Sequence, residues 1–318
     1  MKLAITLSFL AIGSSVFSQL RTTFNQYMLN PALVNPGFMD VQTRFGGALT
    51  YRKQWLSAGE TPVTFAANGY YRLTRNHGVG MIVTNDRVGN INTLEVGLSY
   101  TYHLWITNKI ALGLGVKAGF NQRSMQSDYV YFGDGADPVL ANLKTGGINV
   151  GTGLSLQSKN FTFGVSVPYL FNNSLNGPYA YVIGNNHFYT HMSYKLHASD
   201  NFVFVPSILL KGVSGAPLSM SFDGHVLINQ LVWLGGGYRS DNTVGLSAGL
   251  FFKHGLRVVY SYETAYFSAH TRFNSTHEIS LNYAQSIEEL PFQLRLYRKK
   301  NGKMYKRPDP NNRKGFGN

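Results

Sequence analysis

The segment that decides the fold is residues 94–104, with the sequence LEVGLSYTYHL. Every second position holds a large apolar or aromatic side chain, and most positions between them hold small or polar ones. Residues 110–120, IALGLGVKAGF, repeat this alternation with glycine at three of the intervening positions. Alternation with period 2 is typical of a β-strand, because successive side chains point to opposite faces of a sheet.

The length of these strands and the composition of their second face favour a membrane barrel. Residues 148–156 and 244–250 repeat the pattern, and the segments run for about 9–13 residues, the length of a tilted transmembrane strand. A soluble β-sandwich would bury the bulky face and carry charged residues on the other one. Here the second face is mainly Gly, Ser, Thr and Asn, which suits a water-filled lumen.

Fourteen segments fit this pattern, and single-chain bacterial barrels prefer such an even number. They are residues 43–54, 61–73, 77–85, 92–104, 109–121, 145–157, 160–168, 187–198, 201–211, 217–228, 231–239, 243–253, 255–263 and 276–285. We therefore predict an all-β fold, a transmembrane outer-membrane β-barrel of about 14 antiparallel strands.

The links between the segments alternate in length. Short links follow the even-numbered segments, and longer ones, notably 122–144, 169–186 and 264–275, follow odd-numbered segments. Short turns are typical of the periplasmic end of such barrels and long loops of the extracellular end. We expect localisation in the cell outer membrane, with both termini periplasmic and the long loops extracellular.

The overall composition agrees with a membrane-facing sheet. Charged residues make up 14% of the chain and aromatic residues another 14%, whereas soluble domains carry roughly 25% charged residues. The chain has no cysteine, which excludes a disulfide framework, an iron–sulfur site and a thiolate zinc site.

The N-terminus has the features of a signal peptide. Lys2 precedes a mostly apolar run over residues 3–16, and we predict cleavage after Ser18. The run is shorter than the ~20 residues of a spanning helix. Residues 19–42 are then expected to form an N-terminal periplasmic segment, with a plug in the lumen as the open alternative. The barrel is expected over residues 43–290.

A basic tail follows the barrel over residues 291–318. From Arg298 onward it carries eight basic residues against one acid, Asp309, and its composition predicts no regular structure by itself. Anionic lipid head groups, acidic glycans or an acidic protein surface would be suitable partners; a solvated tail without a partner is the alternative. The basic residues are Arg298, Lys299, Lys300, Lys303, Lys306, Arg307, Arg313 and Lys314.

The sequence offers no strong catalytic, metal or cofactor signal. His187 and His191 share a strand face but lie ~13 Å apart, too far for one ion with Zn–N bonds of ~2 Å. Three aspartates of one long loop, Asp128, Asp134 and Asp137, fit no full calcium-binding template. We predict no cofactor, no metal, no catalytic residue and no nucleic-acid partner, and we do not expect an enzyme; an outer-membrane hydrolase is a minor alternative.

Several short motifs resemble a known family, PorP/SprF, the outer-membrane proteins of the type IX secretion system of Bacteroidetes. The opening motifs are Gln26-Tyr27-Met28-Leu29-Asn30, Asn35-Pro36-Gly37-Phe38, Tyr51-Arg52-Lys53-Gln54-Trp55 and Thr61-Pro62-Val63-Thr64. Later ones include Tyr238-Arg239-Ser240-Asp241, Tyr260-Ser261-Tyr262-Glu263 and Thr276-His277-Glu278. The resemblance runs from about residue 26 to 283. One departure is Gly37-Phe38, where the family usually has Ala-Tyr.

The resemblance implies a role in type IX secretion, supporting export or surface anchoring of cargo such as gliding adhesins. It implies as partners outer-membrane lipids, other type IX components and the C-terminal domain of a secreted cargo or adhesin. The alternative is a passive outer-membrane pore or small-solute transporter. Candidate contact residues from the family motifs are Asn35, Pro36, Tyr51, Arg52, Lys53, Gln54, Trp55, Arg239, Asp241, His277 and Glu278.

Strand alternation also predicts where the side chains of the Tyr-Arg-Lys-Gln-Trp motif point. Arg52 and Gln54 are expected to face the lumen, and Tyr51 the lipid. Trp55 falls at the outer end of the first strand, where aromatic belts form. A role as an interfacial anchor and a role in partner recognition both remain open for Trp55.

Overall fold

The fold is a closed antiparallel β-barrel. In the computed structural model, residues 22–56, 61–125, 143–172, 186–213, 216–265, 275–287, 297–300 and 303–306 are described. The barrel strands are β1 (Thr43–Lys53), β2 (Val63–Arg72), β3 (His77–Val88), β4 (Ile91–Trp105), β5 (Ala111–Met125), β6 (Leu143–Gln157), β7 (Phe161–Asn172), β8 (His187–Tyr194), β9 (Leu196–Ser199), β10 (Phe202–Val213), β11 (Ser219–Ile228), β12 (Val232–Arg239), β13 (Thr243–Phe251), β14 (Leu256–Ala265) and β15 (Thr276–Ser286). Each pairs with its neighbour in sequence, except that β8 and β9 both pair with β10, and β15 pairs with β1 to close the sheet.

The predicted count of fourteen strands is confirmed. The short strands β8 and β9 are separated by Lys195 alone and both pair with β10, so together they form one barrel strand. Strand β5 continues to Met125, four residues beyond the predicted end at 121. Residues 121–124 are polar and gave no apolar alternation, yet their backbones pair with β4 and β6.

Burial along the strands is the reverse of that in a soluble protein. Large apolar side chains point outward, with Leu98, Ile148 and Leu246 more than 60% exposed. The opposite face points into the lumen and buries polar groups such as Glu95 and Asn149. This distribution matches strands with lipid outside and polar groups inside. Among the described residues, no helix is long and apolar enough to cross a membrane.

The two ends of the barrel differ in their connections. At one end, here called the short-turn end, the links are residues 73–76, 106–110, 158–160, 200–201, 229–231 and 252–255. The other end is here called the long-loop end, and its links include 126–142, 173–186 and 266–275. Most residues of these three links lie outside the described part of the chain. Strand β1 begins and strand β15 ends at the short-turn end.

The turn between β11 and β12 shows how tightly the short links close. Asn229 and Gln230 have φ angles of 51° and 54°. Positive φ at both central positions is typical of the primed turns, whose twist matches that of a hairpin. Asparagine tolerates this conformation better than most residues.

Residues 22–42, here called the plug, lie inside the barrel. Thr22 contacts Thr64 and Asp86 near the long-loop end, and the chain then descends through a short 3-10 helix at Pro31–Leu33. It reaches the short-turn end before β1 begins. The expectation that this segment lies outside the barrel is therefore wrong for residues 22–42. They lie in the lumen, as in the alternative of a plug.

The plug also changes the expected position of the N-terminal part of the chain. Both termini were expected on one side because the strand number is even. The barrel's own ends, at Thr43 and Ser286, do lie together at the short-turn end. Thr22 instead lies at the long-loop end, because the plug crosses the lumen once before β1.

The tail contains a short hairpin. Strands β16 (Tyr297–Lys300) and β17 (Lys303–Lys306) pair antiparallel. The expectation of no regular structure is therefore wrong for these residues, because their backbones find partners in each other. Arg307, Arg313 and Lys314 lie outside the described residues.

Candidate functional site: the plugged lumen

Four charged side chains form a buried cluster in the lumen near the long-loop end. It is here called the ion-pair cluster and consists of Arg52, Arg239, Glu263 and Glu278. Arg52 donates to Glu263 over 2.7 Å and to Glu278 over 3.1 Å. Arg239 donates to the other oxygen of Glu263, also over 2.7 Å. The residues come from β1, β12, β14 and β15, so the cluster bridges strands that are not all neighbours.

The plug completes the ion-pair cluster. The backbone N–H groups of Asn25 and Gln26 donate to the two carboxylate oxygens of Glu278 over 3.0 and 3.1 Å. The side-chain oxygen of Asn25 accepts from Arg52 over 3.0 Å and from Arg239 over 3.1 Å. Asn25 makes three of these charge-assisted bonds and Gln26 the fourth, and together they fix this part of the plug strongly.

Gln26 and Tyr27 extend this anchor along the wall. The Gln26 amide donates to Ser261 over 3.0 Å and to the Val259 carbonyl over 3.3 Å. The Tyr27 hydroxyl donates to Asp223 over 2.8 Å.

The middle of the plug forms hydrogen bonds with β4 and β6. The Pro36 carbonyl accepts from Thr101 over 2.9 Å, and the Gly37 carbonyl accepts from Ser155 over 2.6 Å. Asn35 donates to the Leu154 carbonyl over 2.9 Å while its own oxygen accepts from the Gly37 N–H over 2.8 Å. The bonds that hold the plug here run mainly to backbone groups.

Glycines on β5 and β6 make this close approach possible. A Cβ at Gly115 would lie 2.1 Å from the Pro36 carbonyl oxygen, and one at Gly153 would lie 2.0 Å from Asn35 Oδ1. A Cβ at Gly37 would itself lie 2.4 Å from the Gly153 carbonyl oxygen. The alternating glycines that defined the strands in sequence therefore form the seat of the plug, and Gly37 fits that seat closely.

The last plug residues are bound near the short-turn end. Arg72 donates to the carbonyls of Asp40 and Val41, each over 2.6 Å. An Nε2 contact of 3.1 Å joins His103 to the Met39 carbonyl. The plug is thus tied to the wall near both of its ends and in the middle.

A second buried charged group lies in the wall of the lumen. Lys117 donates to Glu95 over 2.7 Å, and the Tyr169 hydroxyl donates to the other Glu95 oxygen over 2.6 Å. The Lys117 ammonium lies 4.0 Å from the centre of the Tyr169 ring. These residues belong to β4, β5 and β7, and they balance one another inside the lumen.

The structure brings five of the sequence-predicted residues onto the plug or its contacts. Arg52, Arg239 and Glu278 meet in the ion-pair cluster, and Asn35 and Pro36 belong to the plug itself. The lumenal position of Arg52 agrees with the alternation of β1. In sequence these residues are separated by up to 243 positions, from 35 to 278.

The other predicted residues lie away from the plug. Tyr51 points outward with 44% of its surface exposed, and the His277 ring contacts the Tyr260 hydroxyl on the outer face over 2.6 Å. Asp241 accepts from the Thr243 N–H within a turn at the long-loop end. Lys53 is the last residue of β1 at the same end of the barrel, and Gln54 and Trp55 follow it; the Gln54 backbone N–H donates to the Pro62 carbonyl.

Sequence reasoning missed Glu263, Asn25 and Gln26 as site residues. Glu263 makes as many ion pairs as Arg52, because each of its oxygens accepts from a different arginine. A carboxylate in the lumen-facing register of an otherwise apolar strand was the available signal. Asn25 and Gln26 lie outside any alternating strand and so gave no such signal, although they bind the wall with both backbone N–H groups and side chains.

The histidines do not form a metal centre in the part of the chain described. His187 and His191 are buried in the lumen at 1% and 2% exposure, and no group of three or more potential ligands is found among the described residues. The loop with Asp128, Asp134 and Asp137 lies outside those residues.

The fold and the lumen define the class of protein: a membrane-spanning β-barrel whose lumen is filled by its own N-terminal segment. The chain belongs to the family described as type IX secretion system membrane protein PorP/SprF, which matches residues 16–283. It is therefore an outer-membrane component of the type IX secretion system, and it works with other components of that system.

Solved structures of outer-membrane proteins are similar in fold. A Pseudomonas aeruginosa FadL homologue is 10% identical, covers 84% of this chain and 95% of its own, and has a TM-score of 0.46. The CymD monoaromatic hydrocarbon channel is 12% identical over 84% and 94%, with a TM-score of 0.46. The Acinetobacter baumannii outer membrane protein Omp33 is 8% identical over 77% and 100%, with a TM-score of 0.45. No curated protein matches the chain.

Proposed function

We propose that this barrel is a closed scaffold that supports export or surface anchoring of type IX cargo, such as gliding adhesins, and is not a passive pore. The observation that carries the proposal is the plug, whose residues Asn25 and Gln26 complete the ion-pair cluster across the lumen. A channel for small solutes needs those polar side chains to face water. Here they bind the protein's own chain.

The energetics oppose spontaneous opening. Withdrawal of the plug would remove two N–H donors from the fully buried Glu278 and the amide oxygen shared by Arg52 and Arg239. Leaving buried polar groups unpaired costs about 1–3 kcal/mol each, and more for charged groups. Because the charged groups already stabilise the plug, the proposal assigns them a structural role and assigns the protein no catalytic residue.

The proposal includes an orientation. Residues 1–18 are removed as a signal peptide, the short-turn end faces the periplasm and the long-loop end faces outward. Support comes from the difference in link length between the two ends, which follows the usual pattern of bacterial barrels. Cargo then meets the long-loop end, and the secretion machinery meets the short-turn end.

Exposed residues at the long-loop end are the proposed contacts for the cargo's C-terminal domain. Trp55 is 46% exposed just after β1 and has a φ angle of 55°. Such a conformation is uncommon outside glycine and often marks a functional position. Lys53, Gln54 and Asp241 lie at the same end of the barrel.

The proposal is tested by deleting the gene and following a type IX cargo at the cell surface. Surface cargo is expected to disappear and to return with the wild-type gene. A gene carrying Trp55→Ala should restore surface cargo poorly. The control is Trp105→Ala, at the short-turn end of β4, which should restore surface cargo fully when the two variants are present at equal levels. Normal surface cargo in the deletion strain would contradict the proposal.

A further inference from the structure

The lumen widens below the plug into a cavity at the short-turn end, here called the vestibule. Its volume is about 1210 Å³, and the plug residues Met28–Pro31, Phe38, Asp40 and Gln42 form part of its lining. Pockets for small molecules usually measure roughly 300–1,000 Å³. The vestibule is therefore large enough to accept a segment of polypeptide.

The lining of the vestibule is predominantly basic. Four cationic side chains and two carboxylates contribute to it: Lys159, Lys195, Lys253 and Arg257 against Asp40 and Asp200. Within the described part of the chain, none of the three lysines forms an ion pair with a carboxylate. Because four cations face two carboxylates, the net charge of the vestibule is positive.

Lys195 interrupts the eighth strand of the barrel. It is the single residue between β8 and β9, and its side chain lines the vestibule from this interruption of the barrel wall. Lys159 reaches the same cavity from the turn between β6 and β7. Both side chains are exposed, so neither is needed to fill a core.

Aromatic rings lie beside these charges. Trp233 stacks on Phe251 with ring centres 5.2 Å apart, and the Arg257 guanidinium lies 5.1 Å from the Phe251 ring centre. All three side chains line the vestibule. The cavity thus offers apolar surface together with cations, a combination that suits a peptide better than an inorganic ion.

We propose that the vestibule binds an acidic segment of a partner protein. The chain's own tail is a poor occupant because it carries eight basic residues against one acid from Arg298 onward. A lipid head group is also disfavoured, because the vestibule lies inside the barrel wall and lipid lies outside it. Assignment of the partner to the periplasm rests on the orientation proposed above, whereas the binding itself does not.

The test measures binding of a fluorescent poly-glutamate peptide to the full chain in detergent micelles by fluorescence anisotropy. The double variant Lys159→Gln with Lys195→Gln should weaken binding about fivefold, because each exposed charge pair contributes modestly. The matched double variant Lys299→Gln with Lys300→Gln removes the same charge from the tail and should change affinity by less than about twofold. Raised salt should weaken wild-type binding.

Several outcomes would overturn the proposal. These are no peptide binding by the wild-type chain, equal binding by the vestibule variant, or an equal or larger loss in the tail variant. Displacement of the peptide by inorganic phosphate or by short-chain phosphatidylglycerol at matched charge concentration would also overturn it. The ligand of the vestibule would then be a small anion or a lipid. None of these results bears on cargo at the surface, so failure here and failure of the proposed function are distinguishable.

Discussion

At the residue scale, the lumen is organised by charged side chains that neutralise one another. Arg52 is the clearest example, because it is 3% exposed, bonds two carboxylates and also bonds Asn25 of the plug. A buried charge is tolerated when its partners are all in place, and removing one partner leaves the others uncompensated. Single substitutions in the ion-pair cluster should therefore have large effects.

Arg52→Gln should lower the stability of the barrel by about 3–5 kcal/mol, since Glu263 and Glu278 lose a shared cation. Thermal unfolding in detergent, followed by the shift in gel mobility between folded and heated barrel, measures this. The neighbouring change Lys53→Gln is the control, because Lys53 forms no ion pair with a described carboxylate. Equal stability of the two variants would count against the cluster as the anchor of the plug.

Gly115→Ala should destabilise the seated plug, because the new Cβ would lie 2.1 Å from the Pro36 carbonyl oxygen. Overpacking of this kind costs about 1–3 kcal/mol. Gly69→Ala is a matched control on β2, where the nearest atom to the new Cβ is 3.8 Å away. Limited proteolysis of folded barrels should cleave the plug faster in Gly115→Ala alone, and equal rates would refute the close seat.

At the element scale, the strands could be predicted from sequence but the plug could not. Period-2 alternation locates a strand and fixes the facing of its side chains, so all fourteen segments were found, although polar ends such as residues 122–125 of β5 were not. The plug has no regular periodicity, and its strongest bonds use backbone groups of Asn25, Gln26, Pro36 and Gly37. Backbone groups carry no residue-specific signal in a sequence. The family motifs of the plug could therefore be recognised, but its position in the lumen could not be predicted.

The split of the eighth strand was missed for a related reason. The sequence predicted one strand over 187–198, and the structure interrupts it at Lys195. Alternation continues through the interruption, since Ser193, Lys195 and His197 all line the vestibule. A break that leaves the side chains facing the same way does not change the period-2 alternation, so the sequence does not reveal it.

A disulfide between plug and wall tests the position of the plug, and the absence of native cysteine makes the experiment clean. A Cβ at Gly153 would lie 3.1 Å from Asn35 Cγ, which places the two Cβ atoms about 3–4.6 Å apart, within reach of a disulfide. Asn35→Cys with Gly153→Cys should therefore cross-link on mild oxidation.

The control for that cross-link is Tyr51→Cys with Gly153→Cys, because Tyr51 points outward. The test pair should change its mobility on non-reducing gels and recover on reduction, whereas the control pair should not. Absence of the cross-link in oxidised, folded protein would mean that the plug lies elsewhere.

At the scale of the whole molecule, a barrel with a bonded plug has two separate working faces. The long-loop end presents Trp55 and Asp241, and the short-turn end opens into the basic vestibule. Because residues 22–42 occupy the space between them, contacts at the two ends are made by one rigid wall and not through an open channel. The proposed scaffold role uses these two faces and needs no open channel, whereas a solute pore does.

The central claim is that the plug closes the barrel, and single-channel recording in planar bilayers tests it most directly. We predict that the wild-type protein inserts without a large steady conductance, and that oxidised Asn35→Cys with Gly153→Cys behaves in the same way. A large, steady open conductance of the wild-type barrel that disappears when the disulfide locks the plug would contradict a closed barrel. It would favour the alternative of a passive pore.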